Sequence, residues 1–248
     1  MPVLVTGGTG TVGRPTVEAL RERGIEPRIL SRRAGDGHVI ADLRSGSGLG
    51  AALAGVRTVV HLATNRRNDV AATQRLLDAA QTAGVAHVVY LSIVGVDAVP
   101  LGYYRAKLRC EEGIAASRLP FTIVRAKQFH GFVAGAFRAQ RRLPRIFVAD
   151  VPFQPIDTSV VAARLAELTQ GTPAGGRVRD IGGPEALPMR ELARHWLIAA
   201  GASPDTARGR VVTLRPPGRL VAAYRAGLHT TGAPGPGPSF AEWAQHQP

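Results

Sequence analysis

At 248 residues, 45% of them hydrophobic, and with a mean hydropathy of +0.02, the chain has the length and apolar content of one α/β domain with an ordinary core. No apolar run reaches the roughly 18 residues that a membrane-spanning helix needs, and the single cysteine, Cys110, excludes an internal disulfide and fits a reducing cytoplasm. The net charge of +13 suggests nucleic acid, yet of the 31 basic residues only Lys107 and Lys127 are lysines, and the arginines are scattered, with short pairs at 32–33, 66–67 and 141–142. A nucleic-acid surface needs clustered charge and a binding module, and neither is seen. The charge is therefore read as drawing an anionic cofactor or substrate, with no nucleic-acid or membrane partner.

An apolar run within 2–6 is followed at once by glycines at 7, 8, 10 and 13, and a helical pattern over 12–23 then opens with Val12, Val17 and Leu20. Strand, glycine turn, helix is the order of a dinucleotide-binding turn, in which the backbone approaches a pyrophosphate and the helix start offers free N–H groups. Thr6, Gly7, Gly8, Thr9, Gly10, Thr11, Val12 and Gly13 are the cofactor-binding candidates here. A strand beginning this early leaves no room for a signal peptide, and a cytoplasmic location is expected.

Further strands are predicted over 26–30, 38–41, 57–62, 86–93 and 120–125, and further helices over 69–83 and 103–117. Strands separated by helices of this length imply parallel βαβ units in a doubly wound, Rossmann-type sheet over 1–126. A free ribose 2′-hydroxyl is usually held by a carboxylate at the end of the second strand. Here that strand ends in Ser31, Arg32 and Arg33, so the two guanidinium groups favour a 2′-phosphate, and NADP(H) over NAD(H). Asp42 and Leu43 fall where the adenine would rest, and Leu62, Ala63 and Thr64 fall near the central riboses.

The fifth strand runs into Ser92, and eleven residues on comes Tyr103, with Lys107 four residues further on the same helix face. An ammonium beside a phenol helps it act as a general acid or base, and Ser92 is placed to bond a substrate carbonyl. Lys107 also counts among the cofactor-binding candidates. The sixth strand ends in Arg125, Ala126, Lys127, Gln128, Phe129 and His130, and the last four are the substrate-contact candidates. Cys110 reads as a buried helix residue. No nucleophile elbow and no His/Cys cluster suited to zinc occurs, so hydrolase and metalloenzyme readings fall away.

After residue 126 strands are predicted over 145–148, 153–156, 177–181 and 210–214, and helices over 129–141, 158–170, 188–200 and 217–227, forming a small substrate-covering lobe over 127–228. The Gly/Pro-rich stretch 229–238 reads as a linker, and Ser239 with Glu242 has capping-box spacing for a last short helix.

Thr6–Gly13, Leu91–Asp97, Tyr103–Leu108, Phe121–His130 and Ser239–Trp243 together resemble a short-chain dehydrogenase/reductase, and within that superfamily the atypical NmrA-like NAD(P)H-binding branch. The resemblance implies a dinucleotide along the glycine turn. It also implies Tyr103 as proton donor, Lys107 as its activator and Ser92 as carbonyl orienter, in a reductase of a small ketone, quinone or enone-like substrate. The chain departs from the superfamily in a Ser92–Tyr103 spacing a residue or two shorter than usual and in His61-Leu-Ala-Thr64 where Asn-Ala-Gly is common. Some members bind the dinucleotide without catalysis, commonly without an intact Tyr-x-x-x-Lys, so a non-catalytic NADP(H) sensor and a redox-neutral enzyme stand as alternatives. A monomer or homodimer is expected.

Overall fold

β1 (Val3–Thr6) is buried at all four positions, as a strand flanked by neighbours and covered on both faces must be. In chain order α1 (Gly13–Arg21), β2 (Arg28–Ser31), β3 (His38–Ile40), α2 (Leu49–Leu53), β4 (Thr58–His61), α3 (Asp69–Thr82), β5 (His87–Ile93), α4 (Gly102–Ala116) and β6 (Phe121–Ala126) follow. Then come α5 (His130–Arg138), β7 (Ile146–Ala149), β8 (Pro152–Phe153), α6 (Thr158–Gln170), β9 (Gly176–Arg177) and β10 (Leu187–Pro188). The chain closes with α7 (Met189–Ala199), α8 (Pro204–Arg210), β11 (Val211–Leu214), α9 (Arg219–Arg225) and α10 (Phe240–Gln245). This computed structural model describes residues 2–65, 67–230 and 232–247.

Two units are built from interleaved stretches of sequence. The first takes 1–93, 102–125 and 158–179, and the second takes 94–101, 126–157 and 180–248. The first is a seven-stranded parallel sheet in the order β3-β2-β1-β4-β5-β6-β9, the doubly wound Rossmann-type arrangement expected. Strand order reverses between β1 and β4, the switch point where such sheets bind ligands. Leu4, Val59, Val88, Leu76, Leu77 and Ile114 are among the side chains that fill one face of this core. In the second unit β7 pairs with β11 in parallel and β8 with β10 antiparallel, and α5, α7 and α10 enclose Phe137, Leu192, Leu197 and Phe240.

The predicted strands and helices recur within a few residues. Three elements escaped the hydrophobic pattern. α2 is a single turn of five residues, β10 is two residues long, and α8 lacks an apolar period and is set instead by Ser203, whose hydroxyl caps it, with Pro204 in its first turn. The lobe expected over 127–228 needs correction. α6 packs along α1 and β9 pairs with β6, so 158–179 belong to the sheet unit. The stretch 229–238 is also not a loose linker. His229 donates from Nε2 to the Pro152 carbonyl at 2.7 Å, and Gln154 donates to the Ala233 carbonyl at 2.8 Å. Gly235 donates its N–H to the Gly183 carbonyl at 3.0 Å, and His130 contacts the Pro238 carbonyl at 3.2 Å. The capping box of Ser239 and Glu242 forms as expected.

Candidate functional site

The glycine turn closes against the switch point. Gly7 has φ +71°, and a Cβ there would stand 2.8 Å from the Ala63 nitrogen. A Cβ on Gly13 would stand 2.0 Å from the Gly7 carbonyl oxygen, so the start of α1 lies directly on the turn. Val12, the N-cap, contributes no side-chain cap, and the turn is held by its own backbone, Gly10 N–H donating to the Gly7 carbonyl at 2.9 Å and Arg14 N–H to the Gly10 carbonyl at 3.1 Å. The residues present fit a dinucleotide pyrophosphate, because the two glycines let the turn close on the Leu62–Ala63 backbone and let α1 start directly on the turn, the close backbone packing that such a site needs.

At the far end of β2, Arg32 and Arg33 are exposed, and the loop is fixed by Arg33 N–H donating to Ser31 Oγ at 3.1 Å. Asp42 caps its own turn by accepting from Arg44 N–H at 2.9 Å, and Leu43 is buried. Asp42 also lines an open concavity with Arg44, Ser45, Asn68, Ala71 and Arg75. The last five were not singled out from sequence, since nothing in their spacing connects residues around 44 with those around 70.

Under the switch point runs a buried polar chain. Thr6 Oγ1 accepts from the Leu62 and Ala63 N–H groups, each at 3.2 Å, and so donates to His61 Nδ1 at 2.7 Å. His61 Nε2–H is then left to donate to Thr73 Oγ1 at 3.0 Å, and Thr73 donates to Cys110 Sγ at 3.4 Å. Burial drives the His61 pKa down to about 3, with the Lys107 charge adding to it, so the ring is neutral. It stacks on Tyr90 at 5.4 Å. Cys110 is the buried helix residue expected.

Lys107, 5% exposed, donates to the Tyr90 hydroxyl and to the Leu91 carbonyl, both at 3.1 Å, and lies 4.5 Å from the Tyr90 ring centre. Burial lowers its pKa, opposed by Asp69, while burial raises that of Tyr90, which stays a phenol. Tyr103 is half-buried at the start of α4, and its hydroxyl lies 3.2 Å from Thr64 Oγ1. Thr64 donates to Asp69 Oδ2 at 2.5 Å, and Asp69 Oδ1 accepts from Asn65 N–H at 2.7 Å. Ser92 follows Leu91 on β5, and its hydroxyl is buried with no hydrogen-bond partner among the described residues. Tyr90 and Asp69 were both missed in the sequence. Asp69 carried only the generic signal of an acid in the first turn of a helix.

The second unit takes up two of the expected substrate residues. Lys127 is 2% exposed and donates from Nζ to the His229 carbonyl; burial brings its pKa down to about 7 against the pull of Asp180. His130 packs against Phe240 and Trp243, with ring centres 5.6 and 5.3 Å away. Gln128 and Phe129 are half-buried, and Phe129 caps α5.

With this geometry in place, the chain can be set beside known proteins. The profile of an NAD(P)H-binding family matches residues 7–143, and the chain belongs to that family. It is an atypical short-chain dehydrogenase/reductase, and the class is that of NAD(P)H-dependent oxidoreductases. A (4-alkanoyl-5-oxo-2,5-dihydrofuran-3-yl)methyl phosphate reductase of Streptomyces griseus is 32% identical, with 76% of this chain and 70% of that one covered. A chloroplastic divinyl chlorophyllide a 8-vinyl-reductase of Oryza sativa subsp. indica is also 32% identical, over 82% of this chain but 59% of its own length. Among solved structures, the Escherichia coli NADPH-dependent quinone oxidoreductase complexed with NADPH shares the fold. Its TM-score is 0.78 at 19% identity, covering 98% of this chain and 99% of that one. No helix among the described residues is long and apolar enough to cross a membrane.

Proposed function

We propose that the chain is an NADPH-dependent reductase of a small ketone-, quinone- or enone-like molecule, with Tyr103 as proton donor. The observation that carries this reading is the anchoring of Lys107 to the Leu91 carbonyl, one residue before the unpartnered Ser92 hydroxyl, while Tyr103 on the same helix face remains half-buried. A buried hydroxyl without a partner is costly unless a ligand completes it, and a substrate carbonyl does so. Relatives named as reductases support the same reading.

When bound, NADPH supplies the hydride. Gly7 to Gly13 and the start of α1 would hold its pyrophosphate, Arg32 and Arg33 its 2′-phosphate, Asp42 and Leu43 its adenine, and Leu62 to Thr64 its riboses. Lys107 keeps a positive charge near the phenol, Ser92 orients the substrate oxygen, and Tyr103 gives up its hydroxyl proton. Of the four expected substrate residues, Gln128 and Phe129 are carried forward, because Lys127 and His130 are taken up by carbonyls and rings of their own unit.

The test is NADPH oxidation against a panel of quinones, enones and activated ketones. Turnover is expected with at least one acceptor, and Tyr103→Phe should lower kcat by about 100-fold or more. Tight NADP+ binding with no turnover on any acceptor would sink the reductase reading in favour of a dinucleotide sensor.

A further inference from the structure

We propose that Tyr90 is a positioning residue for Lys107, its hydroxyl and ring fixing the ammonium in place without an opposite charge. This rests on Lys107 serving Tyr103 in the proposed reduction, although its main test uses no turnover.

Lys107 is 5% exposed, yet among the described residues it makes no ion pair. A buried ammonium is usually matched by a carboxylate. Here its two hydrogen bonds go to neutral oxygens of β5, the Tyr90 hydroxyl and the Leu91 carbonyl, both at 3.1 Å, and the Tyr90 ring centre lies 4.5 Å from Nζ. Neutral acceptors hold the direction of the ammonium and leave its charge to act on the Tyr103 phenol, one turn back on α4. An ammonium has three N–H groups, and two bonds into one strand fix where the third points. That third N–H has no partner among the described residues, and a buried donor is costly until a ligand completes it.

The Tyr90 hydroxyl is itself aimed. It shares a hydrogen bond with Cys110 that favours the protonated phenol, so its O–H is the donor and its lone pairs turn to Lys107. Thr73 gives its proton to the same sulfur at 3.4 Å, because its own oxygen receives the His61 Nε2–H at 3.0 Å. Tyr90 is 1% exposed and its ring stacks on His61 at 5.4 Å, so packing holds the acceptor still. The titratable groups that face Lys107 are His61 from β4, Tyr90 from β5, Asp69 from α3, and Cys110 and Glu111 from its own helix. Both carboxylates are engaged elsewhere, Asp69 by Thr64 and the Asn65 N–H, and Glu111 by Arg125.

The chain has only two lysines, so lysine labelled with nitrogen-15 at Nζ and carbon-13 at Cε gives two magnetic-resonance signals, told apart by the loss of one in Lys107→Met. The full chain is titrated without cofactor or substrate. Tyr90→Phe keeps the ring and removes the acceptor, and it is expected to lower the Lys107 midpoint by about one pH unit, the worth of one hydrogen bond to a charged group. Lys127, held in the second unit by the His229 carbonyl, should titrate as in the wild type. An unchanged or raised Lys107 midpoint, or an equal shift of both lysines, overturns the proposal. If Tyr90→Phe does not fold, the wild type decides. A nuclear Overhauser contact between the Lys107 ammonium and the Tyr90 ring protons is expected, and its absence overturns the proposal alone. With an acceptor that the wild type reduces, Tyr90→Phe should lower kcat/KM by about tenfold, and a wild-type value overturns the role in the reaction. A chain whose Lys107 midpoint moves as expected yet oxidises no NADPH keeps the positioning role and loses the reductase reading.

Discussion

Thr6 and His61 are register partners across the point where strand order reverses, and their side chains meet with 2.7 Å between Oγ1 and Nδ1. One hydroxyl thereby fixes both the loop after β4, through the Leu62 and Ala63 amides, and the tautomer of a fully buried imidazole.

That buried ring makes stability depend on pH. In the folded chain His61 stays neutral down to about pH 3 and His229, also held by burial, down to about pH 4. In the unfolded chain both take a proton near pH 6.5. The unfolded state therefore binds more protons below that pH, so stability is full above about 6.5 and falls as the solution is acidified. Urea unfolding at pH 5 should show a loss of about 1–2 kcal/mol per histidine relative to pH 7. His229→Asn should flatten that slope.

Arg32→Ala with Arg33→Ala tests the choice of dinucleotide. Both side chains are exposed, so folding should be unaffected. NADPH affinity should fall by about tenfold or more while NADH affinity stays within a factor of two, as expected when charge-assisted bonds to one phosphate are lost. Unchanged discrimination would place the 2′-phosphate elsewhere.

Gly13→Ala should behave against helix propensity. Alanine in a helix is ordinarily worth about 1 kcal/mol over glycine. Here the added methyl meets the Gly7 carbonyl, and a net loss of about 1–3 kcal/mol is expected, together with weaker dinucleotide binding. Thermal unfolding and NADPH titration of the same variant check both.

Glu111→Ala should be the costlier change. Arg125 on β6 makes a two-pronged contact with Glu111 on α4 at 2.9 and 2.7 Å, with the side chains 6% and 9% exposed. Removing the carboxylate leaves a buried guanidinium without its ion-pair partner, and chemical denaturation should report a loss of about 3–5 kcal/mol.

The sheet and the glycine turn were legible in the sequence because they depend on neighbours in the chain. Val3 to Val5 announce a buried strand, and Gly7 and Gly13 announce the tight packing of α1 on its turn. The partners of the reactive side chains were not legible. Tyr103 finds Thr64 across 39 residues and Lys107 finds Tyr90 across 17, and no local period encodes either pairing. Lys127 shows the same limit. Its charge at a strand end suggested a substrate contact, but the carbonyl that receives it lies 102 residues on, in a Gly/Pro stretch whose composition signals only a break in regular structure.

The return of the chain at α6 and β9 has a consequence for modularity. Because the seventh strand of the sheet comes from residues after 157, no single cut in the gene yields the dinucleotide-binding half as a self-contained piece. A chain stopped at 126 would lack β9 and leave the α6-facing side of α1 bare, and exchange of this half with that of a relative must carry 158–179 along with it.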